Sequence, residues 1–207
     1  MNCLAHSNLA INPKSSSLCK ACGLYLNQLP AFDHSKKASV FWVGLSAVAF
    51  NDEDHKTPLS PSTRSGALVA EIESSFGDSL SFYKTNVVKC LPLKKDKIRY
   101  PMQHEMEKCY PNLEAETKQL RPKVVFLLGK QVASFVLSKL NLTQYTLDEN
   151  FKYDVFSIDG VFYVPIHHPS FVLVYKRKNI NAYITQIRSI IKKKCLKKRD
   201  HSLRLVW

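Results

Sequence analysis

Short apolar runs alternate with longer segments of helical period along most of this chain. Val40–Leu45 (VFWVGL), Phe82–Val88 (FYKTNVV) and Val124–Leu128 (VVFLL) are rich in β-branched and aromatic residues and predict buried strands. Helices are predicted from about Gly66 to Phe76 with Ser65 as cap, and from Pro101 to about Leu120. Two more are predicted over Gln131–Leu140 and from Ile180 to about Lys198. Arg121-Pro122 ends the second helix, and Gly129 opens the turn before the third. Asp159-Gly160 predicts a hairpin between Val155–Ile158 and Val161–Ile166, whose second strand runs straight into HHPSF. The polar stretches Asn51–Ser62 and Leu91–Tyr100 read as loops.

Strands alternating with helices predict an α/β fold, a three-layer αβα sandwich around a mostly parallel sheet. Such sheets bind ligands beyond the carboxyl ends of their strands. Three segments fall there: Gly44–Asp54, Asn86–Cys90 and Ile166–Ser170. They are expected to converge. Residues 1–38 read as an arm, 39–178 as the core, and 179–207 as a basic helix and tail, within a single domain.

Composition changes the picture in two ways. A chain of 207 residues with 45% hydrophobic content is long enough to bury one sizeable core, and a monomer is expected. No apolar run approaches the ~18 residues of a membrane span, and the first residues lack a signal-peptide core. The expected setting is therefore a reducing cytoplasm. There, spaced cysteines bind metal or do redox chemistry more often than they form disulfides.

The net charge of +13 is unevenly spread. Residues 176–207 carry eleven Lys/Arg and one acid, Asp200, a surplus of ten; everything before them carries a surplus of three. That density suits a polyanionic partner, although a solvated helix face would look the same.

Candidate chemistry lies at the predicted strand ends. Cys19 and Cys22 form a C-x-x-C pair, while Cys90 closes TNVVKC and Cys109 lies in EKCYPNLE. Four thiolates in that pattern suit one metal centre that ties the arm to the core. Asn86 carries an acceptor and donors that can pair with a pyrimidine edge, or it can be a turn residue. His168, held before Pro169, can donate to a developing anion; the plainer reading is a loop histidine. The cluster Asn51–Asp54 after Gly44 can orient water, or merely solvate a loop. His167 reads as structural, and Cys3 and Cys195 as ordinary thiols.

TNVVKC, EKCYPNLE, LRPKVVFLLGKQVA and HHPSF, in this order behind the C-x-x-C, resemble the iron–sulfur uracil-DNA glycosylases over roughly residues 19–175. The resemblance implies a uracil-DNA glycosylase-like fold and a 4Fe–4S cluster on Cys19, Cys22, Cys90 and Cys109, with zinc as the alternative. It implies hydrolysis of the uracil N-glycosidic bond in single- or double-stranded DNA, leaving an abasic site. Asn86 would read uracil, His168 would stabilise the departing base, and Gly44 and Ser170 would line the pocket.

The first motif departs from the family pattern, since Leu45-Ser46-Ala47-Val48 follows Gly44. Asp52 is the first choice for positioning water, then Glu53, with Asn51 behind them. Leu59 stands where the family stacks a phenylalanine on uracil, and Phe50 is the candidate substitute. Ser60, Ser62, Thr63 and Ser65 are expected on phosphates, as are Lys176, Arg177 and Lys178, with a wedge within Phe171–Val174. Two other readings follow from the altered motif. One is a weak or inactive glycosylase fold that binds DNA, a replication partner or a proteinaceous inhibitor; the other is a glycosylase for another damaged base.

Overall fold

Trp42 on one strand stacks on Phe126 of the next, with ring centroids 4.8 Å apart, and this pair marks the middle of the sheet. The computed structural model describes residues 19–49 and 57–196. Its strands are β1 (Val40–Ser46), β2 (Phe82–Val88), β3 (Leu93–Lys94), β4 (Lys97–Ile98), β5 (Val124–Leu128), β6 (Phe156–Ile158) and β7 (Val161–Ile166). The main sheet has the order β2-β1-β5-β7-β6. Its pairs are parallel except β6 with β7, which form the hairpin predicted at Asp159-Gly160.

Both faces of the sheet are covered. That is why β1 and β5 are continuous apolar runs rather than alternating ones. Helices α1 (Arg64–Ser74), α4 (Pro169–Tyr175) and α5 (Ile180–Ile191) pack on the face carrying Trp42, Phe126 and Leu128. Helices α2 (Gln103–Leu120) and α3 (Lys130–Lys139) pack on the face carrying Phe41, Val43 and Val125. The fold is thus the expected three-layer sandwich. Each large side chain buried in these layers contributes about 1.5–3 kcal/mol against exposure to water.

β2 is an edge strand, and the segment before β1 covers its outer side. The Lys84 amide donates to Asp33 Oδ2 (2.9 Å), and the Ala31 amide donates to the Lys89 carbonyl (2.8 Å). Asn27 Nδ2 donates to the Leu91 carbonyl just beyond (2.9 Å). These bonds pair polar backbone groups along a sheet edge that would otherwise stay open.

Several element ends differ from expectation, each for a local reason. Thr63, not Ser65, caps α1: its Oγ1 accepts from the Gly66 amide at 3.0 Å. Pro101 is not the first residue of α2, which starts at Gln103; Glu105 reaches back and accepts from the Met102 amide at 2.7 Å. The stretch Leu91–Tyr100 is not featureless, because β3 and β4 pair as a small antiparallel hairpin around Lys95 and Asp96, both at positive φ. Helix α3 begins and ends one residue earlier than expected. The last α-helix stops at Ile191 and continues as a π-helical turn over Lys192–Leu196, while the rest of the basic tail lies outside the described residues.

Candidate active site

The parallel register of β1 and β2 sets Gly44 beside Asn86, and that pairing founds the site. A Cβ on Gly44 would collide with Asn86 Oδ1, so only glycine leaves room for the asparagine side chain. Gly44, Leu59, Ser60, Thr63, Asn86 and His168 line one cavity of about 380 Å³ at the carboxyl ends of the strands. Asn86 is buried there, 6% exposed. The convergence predicted from topology is present for Gly44, Asn86 and His168.

Leu59 occupies the left-handed region at φ 51, which is costly for a side chain with a Cβ. The turn that holds it lies against α1: a Cβ on Gly66 would overlap the Ser60 and Leu59 carbonyl oxygens. Strand β1, this turn and α1 thus form one wall, with an aliphatic rather than aromatic side chain facing the cavity.

His168 is the N-cap of α4. Its Nδ1 accepts from the Ser170 amide (3.1 Å) and lies 2.8 Å from Ser170 Oγ. An Nδ1 that accepts from a backbone N–H carries no proton, so in the neutral ring the proton sits on Nε2. Burial holds the His168 pKa below the usual histidine value, which favours this neutral form. A cap therefore fixes both tautomer and direction of a hydrogen-bond donor. Gly129 at φ 89 lets the start of α3 approach, its would-be Cβ only 3.3 Å from His168 Cβ.

His167 serves structure, as its neighbours show. Tyr153 Oη lies 3.0 Å from its Nδ1, Tyr183 Oη donates to its carbonyl (2.9 Å), and Phe171 stacks on its ring with centroids 5.2 Å apart.

Behind Asn86 lies a buried ionic group that pattern reading did not single out. Lys89 is 1% exposed, and its Nζ donates to Glu116 Oε2 (2.7 Å), the Asn86 carbonyl (2.7 Å) and Thr85 Oγ1. Thr85 Oγ1 in turn donates to Glu116 (2.9 Å). The backbone of Asn86 is thereby held from behind by an ammonium with no slack. The signal was a lysine inside TNVVKC, but its partner comes from α2, 27 residues on.

The four cysteines converge as well. Cys19, Cys22, Cys90 and Cys109 line one small cavity between the arm and the start of α2. Burial and the neighbouring thiols push Cys90 up to about 12, and burial raises Cys109. Among the described residues no group of three or more His, Cys, Asp or Glu side chains is arranged to hold a metal ion. Four thiols lining one cavity are a donor set that serves an iron–sulfur cluster or a tetrahedral zinc ion. The Lys89 amide and Asn112 Nδ2 already face Cys109 Sγ at 3.4 and 3.7 Å, as donors to a thiolate would. The donor set therefore fits an iron–sulfur cluster.

Other expected contacts are divided. Asp52, Glu53, Asn51 and Phe50 lie outside the described residues. Ser60 Oγ and Ser62 Oγ bond each other (2.7 Å), and Thr63 Oγ1 donates to the Ser60 carbonyl, so these hydroxyls build the turn. Ser65 and Arg64 line the cavity, Arg64 having been overlooked in the sequence. Lys176 pairs with Glu149 at 3.3 Å. Within Phe171–Val174, Val172 is fully buried while Phe171 and Val174 face outward. Cys195 is buried away from the other four thiols, and burial pushes it up to about 11.

With this geometry in view, comparison with known proteins is informative. The family model of the uracil DNA glycosylase superfamily matches residues 21–192. A type-4 uracil-DNA glycosylase of Archaeoglobus fulgidus is 30% identical over 75% of this chain and 78% of its own. One from Saccharolobus solfataricus is 26% identical over 75% of this chain and 72% of its own. The crystal structure of Pedobacter heparinus SMUG2 superimposes with a TM-score of 0.56 at 15% identity, covering 78% of each chain, a likeness of fold.

Proposed function

The chain belongs to the uracil DNA glycosylase superfamily, and from that premise we propose that it hydrolyses the N-glycosidic bond of uracil in DNA to leave an abasic site. The observation that carries this reading is His168, capped so that Nε2–H is its donor, in the same cavity as a buried Asn86.

The chemistry asks for that pair. Breaking the C1′–N1 bond sends its electrons into the base, so negative charge develops on uracil and positive charge on the sugar. Asn86 presents an amide that complements the uracil edge, accepting from N3–H and donating to O4. His168 Nε2–H donates to O2, where the charge grows, and a neutral imidazole suffices. Water attacks C1′ from the opposite face and loses a proton, while the uracil anion is protonated on release. Asp52 or Glu53 orients that water. The base first leaves the helical stack, at a cost of a few kcal/mol, before it enters the cavity.

Cys19, Cys22, Cys90 and Cys109 would hold a 4Fe–4S cluster, which would tie the arm to the strand end bearing Asn86 and supply no chemistry to the hydrolysis. Ser65, Arg64, Arg177 and Lys178 contact DNA phosphates. The test is excision from uracil-containing single and double strands, read as alkali-labile sites. Protein that retains its visible chromophore yet leaves such DNA intact would sink the proposal.

Leu59, which has no aromatic face to lay on the base, favours a second reading: a glycosylase fold that binds DNA without releasing uracil. Steeply salt-dependent binding with no base release would select it.

A further inference from the structure

A second cavity adjoins the first and has no role in the reaction above. It encloses about 600 Å³ and shares Leu45 and His168 with the base cavity. Its other walls include Tyr100, Lys130, Gln131 and Phe171. That volume lies within the ~300–1,000 Å³ range of sites that hold small organic groups.

Its two aromatic walls are held differently, Phe171 through its ring and Tyr100 through its backbone alone. Tyr100 is 72% exposed, yet its backbone is clamped at the base of the β3–β4 hairpin. The Arg99 guanidinium takes both oxygens of the buried Glu105 (2.8 and 2.6 Å) and also donates to the Tyr100 and Leu93 carbonyls (3.0 and 3.1 Å). Arg99 is therefore spent on holding the hairpin, which leaves Tyr100 projecting. Phe171 is 38% exposed and lies flat on His167, a ring itself held by Tyr153. An exposed large aromatic costs solubility, and a bidentate clamp inside an 18-residue connection between two cysteines costs conformational entropy. Together Tyr100 and Phe171 give the cavity an aromatic platform.

The polar edge suits a nucleic acid. Lys130 and Gln131, both exposed, open α3, and Lys94, Lys95 and Lys97 on the hairpin are exposed too. Aromatic faces flanked by lysines bind single-stranded bases by stacking while the cations meet phosphate. The shared walls, Leu45 and His168, set this platform directly beside the base cavity.

We propose that this second cavity is a subsite for the nucleobase neighbouring the excised one, with Tyr100 as its stacking residue. The subsite rests on the glycosylase reading for its ligand but not for its test. It gives the protein a preference for what flanks the target, without reading the target itself.

The experiment measures binding by fluorescence anisotropy. Short labelled single strands carry a non-hydrolysable abasic analogue at the centre, with each neighbouring base present or replaced by a bare sugar. Wild-type protein should lose about tenfold in affinity when one particular neighbour is removed, as expected for one stacked base. Tyr100→Ala should bind both strands alike, whereas Tyr100→Phe should restore the difference. Melting temperature checks that the variants fold, and an exposed side chain makes that the expected result. Wild-type binding indifferent to both neighbours, absence of binding to either strand, or a difference kept in Tyr100→Ala overturns the subsite. Excision assays with the same protein preparations, on strands carrying uracil in place of the analogue, separate the two ideas. Neighbour-dependent binding without excision leaves the subsite standing and removes the glycosylase; excision without neighbour dependence does the reverse.

Discussion

Gly44 and Asn86 face each other across the β1–β2 register so closely that the first must lack a side chain for the second to keep its place. In the proposed reaction the glycine is thus part of the base reader, although it contributes no functional group. Gly44→Ala should push the Asn86 amide aside and lower uracil excision on the order of 10²-fold, the usual penalty for displacing a reacting group by about 1 Å. Steady-state kinetics beside a thermal melt checks this; a large loss of stability with unchanged kcat/KM per folded molecule would contradict it.

His168→Ala should cost about 10²- to 10³-fold in kcat, the scale of one lost donor at a developing anion. KM should change little if the bond strengthens only as the base departs. Because burial lowers the His168 pKa, the neutral Nε2–H form persists below the ordinary histidine range. Any acid limb of the kcat/KM profile, which reports the free enzyme, that disappears in His168→Asn must therefore lie below pH 6.5, the unperturbed value. A limb above that value assigned to His168 would refute the burial argument.

The same shifts make stability depend on pH. His167 and His168 are both depressed, chiefly by burial, so the unfolded chain takes up protons at a higher pH than the folded one. Their contribution is complete above the unfolded pKa near 6.5 and falls as pH drops through it toward the folded values. Urea midpoints should decline between pH 7.5 and 5. The decline should be smaller in His168→Asn, which keeps a capping side chain.

Lys89 and Glu116 form a nearly sealed ion pair, with side chains 1% and 11% exposed. Lys89→Met should destabilise the protein by about 3–5 kcal/mol, because it strands a buried carboxylate. Lys89→Met combined with Glu116→Leu should recover most of that loss, since no charge is then left unpaired. Chemical denaturation of the two single variants and the double variant tests this directly. A double variant as unstable as the sum of the singles would mean that the pair acts through something other than mutual neutralisation.

Removal of the metal centre should loosen the arm before the sheet. Cys90 and Cys109 titrate high without metal, so loading must displace protons and should weaken as pH falls. An iron–sulfur centre makes the protein brown and zinc leaves it colourless. In chelated protein, hydrogen exchange should rise across residues 19–38 while β1 and β5 stay protected. Equal protection of the arm in both states would remove the bracing role.

What could be read in advance, and what could not, divides along a physical line. β2, β5 and β7 have the bounds predicted for them, since each is a short local run rich in β-branched and aromatic residues. The alternation of strand and helix determined the sandwich, and the spacing of four cysteines pointed to one shared centre. The α1 cap was misplaced because Ser62, Thr63 and Ser65 offer equivalent hydroxyls, and only the turn built on Ser60 selects one. Likewise, the stretch Leu91–Tyr100 reads locally as a polar loop, and only the fold brings Arg99 onto Glu105.

Local pattern by itself therefore determined the five strands of the main sheet, four of the five α-helices among the described residues and their order, and it marked the candidate site residues. Tertiary structure alone decided that Gly44 must be bare beneath Asn86, that Lys89 finds Glu116, and that Ser170 sets the proton of His168 on Nε2. The reason is that backbone periodicity is a short-range property, set by a residue and its near neighbours. Steric exclusion, charge neutralisation and hydrogen-bond direction are properties of atoms in contact, and most of those atoms meet only after the chain has folded.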